Sequence, residues 1–124
     1  MNIVVVEDIR LHQKVIKKVI QLALPRAEIS LCSDAFEAFA LLSSLSKVDL
    51  IMVDIHMPYC KGDELIKKLR TMMRFDECRI AIMTADEDLS TSFEEIGANY
   101  FFTKPFNPKK LKIMLQSLGL SEKS

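Results

Sequence analysis

The chain has 124 residues, room for one domain with a real core and too few for two ordinary ones. Its 49% hydrophobic and 27% charged content is that of a globular protein and excludes a disordered one, and no apolar run approaches the ~20 residues that span a bilayer. Lys plus Arg and Asp plus Glu both total 17, so no overall basic field exists to hold nucleic acid through its phosphates. The N-terminus lacks the basic region, apolar stretch and cleavage site of a signal peptide, and a cytoplasmic location is expected. The three cysteines, Cys32, Cys60 and Cys78, are odd in number without CxxC spacing, which reads as free thiols and not as a disulfide or zinc framework.

The first apolar run, IVVV at 3–6, reads as a strand buried on both faces. Leu11, Val15, Val19 and Ala23 then recur every four residues with Ile16 and Ile20 beside them, a first helix that stops at Leu24 before Pro25. AEISLC at 27–32 alternates, Ile29 and Leu31 against Glu28 and Ser30, as an edge strand does. Asp34 and Glu37 form an acidic variant of the capping box ahead of Phe39, Leu42 and Leu45. LIMV at 50–53 is a further buried strand; Leu65, Ile66, Leu69, Met72 and Met73 form the stripe of a third helix, the two methionines read as core. IAIM at 80–83 precedes a short helix through Leu89, Phe93 and Ile96 that Gly97 ends. YFF at 100–102 is the fifth strand. Asn107 caps the last helix, Pro108 suits its first turn, and Leu111, Met114, Leu115 and Leu118 share a face.

Strand and helix therefore alternate five times, the pattern of an α/β sandwich with a parallel sheet. Right-handed crossovers bring the C-terminal ends of all five strands to one edge, where such folds bind ligands. The residues there turn polar: Glu7 and Asp8 after the first strand, Asp54 at the end of the third, Thr84 at the end of the fourth, Lys104 after the fifth. Three converging carboxylates repel unless a cation sits among them, and a hard divalent ion such as Mg²⁺ suits an all-oxygen set that leaves room for phosphate oxygens. Seen alone, an acidic pair after a strand is an ordinary solvated helix start; the joint placement is what points to a site.

The motifs VVVED at 4–8, DIHMPYCKGDE from Asp54, MTA around Thr84 and GANYFFTKPF from Gly97 resemble the receiver domain of two-component response regulators. The resemblance covers residues 1–118, leaving 119–124 as a short polar tail. It implies a flavodoxin-like doubly wound (βα)5 sandwich with strand order 2-1-3-4-5. It implies that Asp54 accepts a phosphoryl group, that Asp8, Asp54 and the His56 backbone carbonyl hold Mg²⁺ with Glu7 reaching it through water, and that Mn²⁺ can substitute. Thr84 would hydrogen-bond the phosphoryl oxygen and Lys104 would pair with it, before a cis bond to Pro105. Thr84 and Phe101 would form the switch, Phe101 standing where the family often has Tyr. Met57, Pro58 and Gly62 match the family loop, with Gly62 expected to permit a turn that other residues would strain. Small Ala85 would leave access for the donor, and His56 and Asp86 occupy positions that in this family tune loss of the phosphoryl group.

The expected function is a phosphorylation-dependent signalling switch that catalyses its own phosphorylation and dephosphorylation and is not a turnover enzyme. A sensor histidine kinase or histidine phosphotransfer protein would be the donor, and a protein target would bind the face of the fourth helix, fifth strand and fifth helix. The switch would act as a monomer or a phosphorylation-dependent dimer. The start at Met1 and the end without a linker lean towards a stand-alone receiver; a fragment of a longer regulator is the alternative. A metal-dependent phosphatase is disfavoured because His56 stands where such enzymes carry a general acid carboxylate. A flavin module is disfavoured because no Gly-, Ser- and Thr-rich phosphate loop follows the first strand. His12 reads as an ordinary residue of the first helix, the His56 side chain as a loop residue, and Cys60 as unreactive.

Overall fold

The structure, a computed structural model, describes residues 1–57, 61–72, 75, 77–84, 93–104 and 106–120. The readings of Pro58, Cys60, Met73, Ala85, Asp86, Leu89 and the bond to Pro105 lie outside the described residues.

Strands and helices alternate as β1 (Asn2–Val6), α1 (Arg10–Ala23), β2 (Glu28–Cys32), α2 (Ala35–Ser44) and β3 (Leu50–Asp54). They continue as α3 (Gly62–Arg70), β4 (Arg79–Thr84), α4 (Phe93–Ile96), β5 (Tyr100–Thr103) and α5 (Pro108–Ser117). The five strands form one parallel sheet in the order β2-β1-β3-β4-β5. β3 is buried at every position because α/β crossovers cover both faces. β2 and β5 are the edges; in the aromatic β5 only Phe102 is fully buried. One face carries α1 and α5, with Ile16, Val19, Ile20, Leu111, Met114 and Leu115 over Ile3, Val5, Met52 and Met83. The other carries α2 and α3, with Leu42, Leu65, Ile66 and Leu69 over Val4, Val6, Ile51 and Ile82, and Phe93 and Ile96 of α4 pack against that cluster.

Local chemistry sets the helix ends. Asp34 accepts the Glu37 N–H at 2.8 Å while Glu37 reaches back to the Ser33 N–H at 2.6 Å, a reciprocal cap. Asn107 accepts the Lys110 N–H at 2.9 Å ahead of Pro108. Gly97 stops α4 with φ at +112°, a conformation few side chains adopt.

Three expectations are corrected. In α1 the buried residues are Ile16, Val19 and Ile20, whereas Leu11 is 68% and Val15 46% exposed. A series stepping by four advances ~40° per step, so from Leu11 to Ala23 it winds about a third of the way round the helix and leaves the core face. Met72 is exposed, beyond the last turn of α3. Gly62 does not serve a left-handed turn: a Cβ there would run into the Asp54 carbonyl oxygen and lie 2.9 Å from the Ile55 Cα, so its role is the close approach of α3 to the end of β3.

Candidate functional site

The chain runs outwards from β1 to β2 and then back across β1 to β3, so the strand order reverses between β1 and β3. In such folds no crossover helix covers the crevice above that reversal. Glu7 and Asp8 leave β1 there and Asp54 ends β3 beside them; one carboxylate oxygen from each lies within 4.8 Å of the others. Glu7 is wholly buried and Asp54 nearly so.

Lys104 closes the group. Its N–H donates to the Thr84 carbonyl at 2.7 Å, which sets the residue just past the paired ends of β4 and β5. From there its long side chain returns to the crevice, where Nζ donates to Glu7 Oε1 at 2.6 Å and to Asp54 Oδ2 at 3.2 Å. The second Asp54 oxygen, Oδ1, accepts the His56 N–H at 2.9 Å. Thr84 is fully buried at the end of β4.

One ammonium does not neutralise this set. Burial, then the neighbouring Asp54 carboxylate, push Glu7 up to about 8 against the opposing pull of Lys104. Burial acts on Asp54 in the same sense, yet the Glu7 side chain, the His56 N–H and Lys104 outweigh it and hold its carboxyl below the usual range. Burial would lower Lys104, but Glu7 and Asp54 together hold it above the ordinary lysine value. Of the two carboxyls, Glu7 is the one pushed towards holding a proton and Asp54 the one pushed towards ionisation. Glu7 Oε2 and Asp8 Oδ1 are buried without a hydrogen-bond partner among the described residues. Buried orphan oxygens are costly, and two of them beside an ionised carboxylate fit a hard cation that takes oxygen ligands.

Of the residues singled out in the sequence, Glu7, Asp8, Asp54 and Lys104 meet directly, and His56 joins through its backbone while its side chain is exposed. Phe101 stands apart, its ring stacked on Phe93 with centroids 6.0 Å apart. Two residues were missed. His12 is not an ordinary helix residue: Nδ1 lies 2.8 Å from Glu7 Oε1 and 3.0 Å from Lys104 Nζ. Gln13 Nε2 donates to the Glu7 carbonyl at 2.6 Å. The signal available was the short link from Asp8 to the start of α1 at Arg10, which leaves the helix's first turn beside the end of β1. Cys32 and Cys78 are free and buried, which pushes both thiols up to about 11. No helix among the described residues is long and apolar enough to cross a membrane.

Residues 3–116 match the response regulator receiver domain. The chain belongs to that family. Receiver domains are the phosphoacceptors of two-component signalling, where they work with histidine kinases and phosphotransfer proteins as phosphorylation-dependent switches. The chain is 31% identical over 107 residues to stress response regulator protein 1 of Meyerozyma guilliermondii, covering 82% of this chain and 48% of that one. It therefore spans about half the length of that relative. It is 27% identical over 121 residues to a chemotaxis protein CheY homolog of Campylobacter jejuni, covering 95% of this chain and 92% of that one. Among solved structures it resembles the response regulator TrrA of Thermotoga maritima in complex with Mg²⁺-BeF, with a TM-score of 0.81, 26% identity, and 94% and 97% of the two chains covered.

Proposed function

We propose that this receiver domain accepts a phosphoryl group on Asp54 from a phosphohistidine donor, a sensor histidine kinase or a histidine phosphotransfer protein, and passes the signal on by protein contact. The observation that carries the assignment is the ammonium of Lys104 set 3.2 Å from Asp54 Oδ2, in a crevice where Glu7 and Asp8 hold oxygens unpartnered among the described residues. Asp54 is the carboxylate held ionised, and only an ionised oxygen attacks phosphorus.

An Asp54 oxygen attacks the phosphorus in line and the P–N bond to the donor imidazole breaks. The electron pair stays on that nitrogen, which takes up a proton. Lys104 and the Thr84 hydroxyl stabilise the charge on the equatorial oxygens, and the His56 N–H holds the Asp54 carboxylate in orientation. A bound Mg²⁺, or Mn²⁺ in its place, would supply further neutralisation of those oxygens, and Asp8, Asp54 and the His56 carbonyl would hold it, with Glu7 acting through water. Water later cleaves the acyl phosphate, releasing inorganic phosphate and restoring the carboxylate. The chain thus catalyses its own phosphorylation and dephosphorylation without turning over an external substrate.

Incubation with Mg²⁺ and phosphoramidate should add one phosphoryl mass to the wild type and none to Asp54→Asn. A mutant that still gains the mass would move the acceptor elsewhere.

A further inference from the structure

Past the end of a strand the ladder no longer fixes the backbone, and Asp8 stands just there. β1 pairs with β2 and β3 up to Val6, opposite Cys32 and Val53. Glu7 is still tied to β2, its N–H donating to the Cys32 carbonyl at 2.9 Å. In a parallel ladder the Glu7 carbonyl would next take the N–H of Asp34, two residues past Cys32. β2 ends at Cys32, however, and Asp34 is already the cap of α2. Gln13 of α1 supplies the donor instead: its Nε2 lies 2.6 Å from the Glu7 carbonyl oxygen and 3.3 Å from Ser33 Oγ. A carbonyl only accepts, so the amide must turn its nitrogen to Glu7, and its two hydrogens serve the two oxygens. Ser33 in turn gives its N–H to Glu37 Oε2 at 2.6 Å. One side chain thus joins the end of β1 to the turn between β2 and α2.

A peptide unit is planar, so a bond that holds the Glu7 carbonyl also holds the nitrogen and Cα of Asp8. From that Cα leaves the carboxylate whose Oδ1 is buried and unpartnered among the described residues, in the group with Glu7 and Asp54. We propose that Gln13 is a positioning residue for the cation site: by fixing the Glu7–Asp8 peptide plane it aims the Asp8 carboxylate into the crevice before a cation arrives. A ligand already aimed pays less to be ordered on binding. This rests on the reading of Asp8 as a ligand of Mg²⁺.

The test compares the wild type with Gln13→Met, which keeps a long unbranched side chain and loses the donor. In the metal-free protein the Glu7 carbonyl ¹³C resonance should move upfield in the variant; a resonance that stays in place would mean that no such bond exists and overturn the proposal. Isothermal titration should show Mg²⁺ bound about fivefold more weakly, what one hydrogen bond is worth. Phosphorylation by phosphoramidate, which exchanges the P–N bond for a bond to Asp54 and releases ammonia, should slow below saturating Mg²⁺ and recover the wild-type rate at saturation. Combined with Asp8→Asn, Gln13→Met should cost less than it does alone, because it acts through Asp8. A variant that only unfolds at lower urea concentration, with Mg²⁺ affinity unchanged, would make Gln13 a structural tie and overturn the proposal. The same loss repeated in the Asp8→Asn background, or a rate still reduced at saturating Mg²⁺, would overturn it as well. A wild type that binds Mg²⁺ and takes up no phosphoryl group would sink the acceptor assignment alone, since the carbonyl shift and the Mg²⁺ affinities still decide the role of Gln13.

Discussion

Glu7 and Asp54 lie in one crevice, and burial and contact drive their protonation in opposite directions. A cation that needs Glu7 ionised must displace its proton, so Mg²⁺ affinity should climb as pH rises towards about 8 and level off above it. Over that range each pH unit is worth at most ~tenfold, one proton released per ion bound. Isothermal titration across pH measures the slope. Glu7→Gln should flatten it, and an unchanged slope in that variant would assign the proton to another group. Asp8→Asn should weaken binding at every pH. The linked effect on the metal-free fold has the opposite sign. Glu7 binds its proton more tightly folded than unfolded, so its contribution is full below the model-peptide value of 4.5 and is lost as pH rises to about 8. Asp54, held low, contributes above its ordinary value of 3.8 and loses that contribution as pH falls further. The acidic residues and Lys104 were legible because each ends a strand. His12 was not, since its role depends on how the first turn of α1 sits over Glu7, which periodicity does not encode.

At the scale of elements, apolar runs identified β1, β3, β4 and β5, and the alternation of AEISLC identified β2 at the sheet edge. Helix faces were read less well. The stripe drawn through Leu11 and Val15 follows the spacing and not the packing: those two residues sit at the start of α1, where they line a cleft of about 480 Å³ with Phe106 and Lys104 and do not cover the sheet. Gly62 was legible as required but for the wrong reason. Its small size lets α3 begin against the end of β3, next to Asp54, so the glycine helps set the geometry of the crevice. Gly62→Ala should cost about 1–3 kcal/mol, because the colliding atoms are backbone and cannot step aside cheaply. Gly119→Ala is the contrast: φ is +69° with open space around it, so only backbone strain of about 1 kcal/mol is expected. Urea unfolding of the two variants checks the order; equal losses would mean that α3 has room to shift.

For the molecule as a whole, the doubly wound topology places the acidic crevice at the reversal between β1 and β3, sets Thr84 at the end of the neighbouring β4 and brings Lys104 to the crevice from the edge strand β5. Both lead into the segments around α4, β5 and α5. If Thr84 is drawn towards a phosphoryl oxygen, Phe101, half-buried and stacked on Phe93, should change its position in response. The two conformations should differ in free energy on phosphorylation by ~1–3 kcal/mol, the usual coupling between linked sites, and a partner of the α4, β5 and α5 face should prefer the phosphorylated form to match. Thr84→Ala should weaken that preference and leave the fold intact. The most direct measurement is the change in amide NMR shifts when Mg²⁺ and beryllofluoride are added to the wild type. Shifts should appear at Glu7, Asp8 and Asp54 and continue through residues 93 to 112. Changes confined to the strand-end loops, with residues 93 to 112 silent, would contradict the switch.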